Sequence, residues 1–103
     1  MKPDPNFMAS LGHVYAAQGK REDARRLIDQ LRDESKKGYV SPYHAAVIYA
    51  GLGEKDKAFE MLNRAAQERS TMLVYLRKDP RLASLRSDPR FQALLNRVGL
   101  PGA

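Results

Sequence analysis

"LGHVYAAQGKREDA" at residues 11–24 is echoed 34 residues later by "AAVIYAGLGEKDKA" at residues 45–58. Superposing the two places Gly12 over Ala46, Val14 over Ile48, Tyr15 over Tyr49, Ala16 over Ala50, Gly19 over Gly53 and Ala24 over Ala58. The register continues through Leu27 over Met61, Ile28 over Leu62 and Leu31 over Ala65. A phrase of residue sizes and polarities repeated at constant spacing is the mark of a structural repeat, whose units bury their apolar faces against one another.

Within each copy the apolar residues recur with a helical period. Phe7, Met8, Leu11, Val14 and Tyr15 fall on one face of a first helix, and polar Gln18 ends the stripe. Ala24, Leu27, Ile28 and Leu31 form one face of a second helix, with Arg25, Arg26, Asp29 and Gln30 pointing elsewhere. The second copy follows the same plan with Ala45, Ile48, Tyr49 and Leu52, then Ala58, Met61, Leu62 and Ala65. Gly19 and Gly53 close the first helix of each copy, where a left-handed residue is needed and glycine has no Cβ penalty. Ser41-Pro42 offers a capping hydroxyl followed by proline at the first helical position.

A period of 34 residues made of helix, tight turn and helix resembles the tetratricopeptide repeat family. Where that family has Trp, Leu, Gly, Tyr, Ala, Phe, Ala and Pro, the first copy has Met8, Leu11, Gly12, Tyr15, Ala24, Ile28, Leu31 and Lys36. The second has Pro42, Ala45, Ala46, Tyr49, Ala58, Leu62, Ala65 and Ser70. Both copies depart from the pattern at its Trp and its final Pro. The small residues have a steric reading: Gly12 or Ala46 faces Ala24 or Ala58, so that two helix backbones approach closely. Residues from about 38 to 101 also resemble a segment at the carboxyl end of larger bacterial regulatory and signalling proteins that carry such repeats.

The resemblance implies an all-α, right-handed α-solenoid of two helix-turn-helix repeats plus C-terminal capping helices. Repeat 1 runs over about 5–37, repeat 2 over about 39–70, and the capping helices over about 71–100. In the tail, Met72, Leu73 and Leu76 suit a short helix, and Asp79-Pro80-Arg81 reads as a turn. The second Asp-Pro-Arg, at 88–90, opens a helix through Phe91, Leu94, Leu95 and Val98 that stops at Gly99, with Pro101 beyond.

The 103 residues suit one domain, and 43% apolar with 29% charged residues is an ordinary globular mixture. There is no cysteine, which excludes disulfide scaffolds, thiolate metal sites and cysteine nucleophiles. No stretch has the length of a signal-peptide core or a membrane span, so the expectation is a soluble cytoplasmic protein with no membrane partner. The net charge of +6 is uneven. Residues 1–68 hold 11 Lys/Arg against 10 Asp/Glu, whereas residues 69–103 hold 7 against 2.

Candidate chemistry is sparse. His13 and His44 are the only histidines and have no helical His or Glu partner for a metal, so no metal or cofactor is expected; both read as groove or surface residues. The serines adjoin helix ends, where capping explains them, and no nucleophile elbow or glycine-rich phosphate loop is present. The expectation is a non-catalytic module. The resemblance implies a concave groove for a peptide or helix, lined by Asn6, Ala9, His13, Ala16, Ala17, Val40, Tyr43, Val47 and Ala50. At the positions where some family members clamp a terminal carboxylate with Lys and Asn, this chain has Ala9, His13, Tyr43 and Val47.

Two further partner classes remain open. The basic patch of Arg77, Lys78, Arg81, Arg86 and Arg90 suits nucleic-acid phosphates, against the plainer reading of a solvated capping element. A homodimer through a lateral apolar face is the other. The leading expectation is a protein or peptide partner bound in the groove.

Overall fold

The computed structural model describes residues 4–99, and every element among them is helical. In chain order these are α1 (Pro5–Ala17), α2 (Arg21–Ser35), α3 (Pro42–Gly51) and α4 (Lys55–Gln67). Two short 3-10 helices follow, Thr71–Tyr75 and Pro80–Leu85, and then α5 (Pro89–Arg97). The fold is all-α. No helix among the described residues is long and apolar enough to cross a membrane.

The helix starts follow local chemistry. Asp4, Ser41, Asp79 and Asp88 each precede a proline and each accept a hydrogen bond from a backbone N–H of the first turn. The side chain satisfies an orphan donor, and the proline occupies a position whose N–H would be unpaired anyway. Asp79-Pro80-Arg81, expected as a turn, is such a start and opens the second 3-10 helix. The helix ends show one geometry with a variation. At Gly19 and Gly53, with φ of 78° and 77°, the chain reverses through paired bonds such as Lys20 N to Tyr15 O at 2.8 Å. α4 closes in the same way at Arg69, whose φ is 54° and whose side chain makes that conformation cost roughly 1 kcal/mol relative to glycine. Gly99 ends α5 in the left-handed region, and Pro101 lies outside the described residues.

α3 is the centre of the packing. α1, α2, α4 and the Pro80–Leu85 helix all pack against it, and eight of its ten residues are buried. α1 also packs on α2, and α5 on α4. The stripes of the second helices hold: Ala24, Leu27, Ile28 and Leu31 are buried on α2, and Ala58, Leu62 and Ala65 on α4, with Met61 half-buried.

The stripe expected on α1 is rotated. Its buried residues are Met8, Ala9 and Gly12, whereas Phe7 is 61% exposed and Val14 49% exposed. Leu11 and Tyr15 are half-buried. The buried strip is the one turned toward α2 and α3. Gly12 has a further neighbour beyond the one expected on α2: Ile48 of α3. A Cβ on Gly12 would lie 2.6 Å from the Ile48 Cδ1 and 2.7 Å from its Cγ1. Ile48 is fully buried, so moving it aside would disturb the packed core around it. Gly12→Ala should therefore cost about 1–3 kcal/mol in urea unfolding, and Ile48→Val, which removes the Cδ1, should recover part of that loss in the double variant.

Candidate functional site

Tyr43, Val47 and Ala50 stand at intervals of four and three residues and so form one stripe of α3. All three are buried. The Pro80–Leu85 helix lies along this stripe and is bonded at both ends of it. Near the start of α3 the Tyr43 hydroxyl donates to Asp79 Oδ2 at 2.8 Å, and near its end Ser84 Oγ donates to the Ala50 carbonyl at 3.4 Å. Leu82 and Leu85 of this segment are completely buried, each burial contributing about 1.5–3 kcal/mol. The channel expected to stand open over Tyr43 and Val47 is thus filled by the chain itself.

Asp79 is the centre of the contact. Its Oδ1 accepts from Arg81 N at 3.0 Å and Arg81 Nε at 2.9 Å, and its Oδ2 accepts from Arg81 Nη2 at 2.8 Å as well as from Tyr43. Burial alone would raise the carboxyl, but the Arg81 guanidinium and backbone N–H and the Tyr43 hydroxyl outweigh it and hold the group below its usual range. Burial, and then the bond to Asp79, push the Tyr43 phenol well above its ordinary value. Arg81 reaches on to α1, donating to Asn6 Oδ1 at 3.1 Å and to Ser10 Oγ at 3.0 Å. One Asp–Arg pair therefore joins α1, α3 and the C-terminal segment.

The remaining groove residues divide. Asn6 is exposed and engaged by Arg81, Ala9 is buried, His13 and Ala16 are half-buried, and Ala17 is exposed. His13 and Ala16 pack against the backbone of α3, where a Cβ on Gly51 would meet the His13 Cδ2 at 2.9 Å. Val40 lies away from the filled stripe, in a cleft with Leu31 and Met61. His44, expected at the groove or surface, is buried instead, and its Nδ1 has no hydrogen-bond partner among the described residues.

The basic patch is dispersed. Arg81 is consumed by Asp79, and Arg86 donates to the Asp79 carbonyl at 2.9 Å. Arg90 repeats the Arg81 arrangement on Asp88, reaches Asp56 of α4 at 2.8 Å, and lies 4.5 Å from the Phe59 ring centre. Its guanidinium and backbone N–H depress Asp88 to about 2. Arg77 and Lys78 are exposed, and among the described residues their side chains make no hydrogen bond or ion pair. Compared with known proteins, the chain matches no family model, no curated protein and no solved structure.

Sequence reasoning missed Asp79, Ser84, Leu82 and Leu85. The legible signal was the i, i+3 pair Leu82 and Leu85 directly behind a proline capped by Asp79, a helix start rather than a turn.

Two outcomes follow from this geometry. Asp79→Ala leaves Arg81 without its counter-ion and should cost roughly 3 kcal/mol, whereas Tyr43→Phe removes one bond to a charged group and should cost about 1.5–3 kcal/mol; chemical denaturation of both variants checks the order. For His44, burial first and then Arg81 lower the pKa below 6.5, with Asp4 acting weakly the other way. Below pH 6.5 the unfolded chain therefore takes up a proton that the folded chain refuses. The His44 contribution is whole above that pH and is lost as the pH falls beneath it, by up to about 1.4 kcal/mol per pH unit. Unfolding curves between pH 8 and 5 (about the window of histidine titration) should show this slope, and His44→Leu should flatten it.

Proposed function

We propose that the chain is a non-catalytic protein-binding module: a right-handed stack of two tetratricopeptide-like helix pairs, capped by its own C-terminal segment. Supporting the repeat reading, Gly19 and Gly53 close α1 and α3 with the same bonds 34 residues apart, and Ala24 and Ala58 are both completely buried.

The observation that carries the binding role is the open face of α1. Phe7, Leu11 and Val14 correspond in the 34-residue register to Ser41, which caps α3, and to Ala45 and Ile48 within it. On α3, Ser41 and Ile48 are buried, with Ile48 seated on Gly12 of α1. On α1, Phe7 and Val14 are exposed. The stack thus presents, at one end, the kind of surface that it covers internally, and a repeat unit in that state takes a neighbour. The partner fitting this face is a helix pair with a small residue over Val14. The filled stripe of α3 is not the binding surface in this reading, and of the basic patch expected for nucleic acid, Arg77 and Lys78 keep side chains that are unengaged among the described residues.

Affinity capture with mass-spectrometric identification, run on the wild-type chain and on Phe7→Asp/Val14→Asp, tests the reading. Both residues are exposed, so the variant keeps the core. A protein retained by the wild type and reduced at least about tenfold by the variant is the expected result. Identical captured sets from the two chains would overturn it. If the neighbour is a second copy, light scattering will show a concentration-dependent mass that the variant lacks.

A further inference from the structure

On the side of α3 turned away from the 3-10 segment, α2 and α4 stand apart and leave a cleft of about 230 Å³. Ala45 and Tyr49, which line it, lie roughly half a turn round α3 from Tyr43 and Val47. Leu31 of α2 and Met61 of α4 complete an apolar floor. The rim is cationic: Arg32 on one side, Lys57 and Arg64 on the other, with Glu60 as the one carboxylate among the lining residues.

These cations differ from the arginines that anchor the fold. Arg81, Arg90 and Arg25 are held by Asp79, Asp88 with Asp56, and Glu54 respectively. Around the cleft, Arg32 pairs among the described residues with Asp29 alone, at 3.7 Å, with both side chains more than half exposed, an arrangement that contributes little. Lys57 lies 6.0 Å from the Tyr49 ring centre, and Arg64 has no ion pair among the described residues. A recess with an apolar floor and a largely cationic rim is complementary to an apolar side chain flanked by carboxylates.

We infer that the α2–α4 cleft is a docking site for an acidic peptide segment that inserts one large apolar side chain between Leu31 and Met61 and sets its flanking carboxylates against Arg32, Lys57 and Arg64. The aromatic ring of the cleft, Tyr49, is buried, so it offers no exposed platform on which a nucleic-acid base could stack. The inference takes from the proposed function only the class of partner, a protein, and it uses a different surface from the α1 face.

The test uses the whole purified chain and three synthetic peptides: one with a central Phe flanked by Glu, the same with Ala for Phe, and the same with Lys for Glu. Fluorescence anisotropy reads affinity, and methyl NMR reads the place of binding. The acidic Phe peptide should bind, and its affinity should fall roughly tenfold or more with Ala for Phe, with added salt, and in Arg32→Gln/Arg64→Gln. Both substitutions lie on the exposed rim, and an unchanged melting curve will show that the variant is folded. The Met61 and Ala45 methyl signals should move.

No binding by the acidic peptide, equal binding by the Lys peptide, undiminished binding by the double variant, or shifts confined to other methyls would each overturn the inference. So would a short oligonucleotide or an anionic phospholipid vesicle that binds in an Arg32/Arg64-dependent way where the peptide does not. Failure here with capture through Phe7 and Val14 intact removes the cleft alone. Loss of capture with peptide binding intact removes the stacking-face reading alone.

Discussion

The Asp79 carboxylate holds this molecule in its final shape. It is buried, accepts four hydrogen bonds, and takes them from three places: the backbone and the guanidinium of Arg81, and the hydroxyl of Tyr43. A buried carboxylate is costly unless each of its lone pairs is met, and here they are. Because Arg81 continues to Asn6 and Ser10, the same pair ties the C-terminal segment to α1 as well as to α3. Leu82 and Leu85 then follow into the stripe of α3 as apolar weight behind a polar anchor.

The same three residue types are used twice, nine residues apart, with different outcomes. At Asp79-Pro80-Arg81 and at Asp88-Pro89-Arg90 the aspartate caps a helix, the proline starts it, and the arginine folds back on the carboxylate. What differs is the setting. Asp79 is enclosed by α1 and α3, whereas the second motif faces α4, where Arg90 bridges to Asp56 and covers Phe59. The first is a buried knot and the second a surface clasp. Together they hold both carboxylates of the tail and pair each with an arginine, so these two arginines serve the fold before they can serve a partner.

The two sides of α3 divide the chemistry of the surface. One stripe is closed by the chain itself, with its polar groups satisfied. The opposite side opens into the α2–α4 cleft, whose cations are poorly paired. The α1 end, with Phe7 and Val14 in water, is a third kind of surface, an unstacked repeat face. His44 lies buried inside this framework with an Nδ1 that no described residue meets, and its burial couples the stability of the stack to pH.

The periodicity alone determined that the chain is helical, where Gly19 and Gly53 reverse it, and that Ala24, Leu27, Ile28 and Leu31 with Ala58, Leu62 and Ala65 are buried. These are local properties, set by residue spacing and by which φ a residue tolerates. Only the tertiary structure decided which side of α1 faces inward, because Met8, Ala9, Leu11 and Val14 fit two adjacent helical faces and the fit of Gly12 around Ile48 selects one. It also decided that Tyr43 and Val47 lie beneath residues 79–86 rather than in an open channel. That contact joins residues 36 positions apart through a buried carboxylate. No short-range pattern encodes which distant hydroxyl an aspartate will meet, since the pairing exists only once three separate helices have been brought to one place.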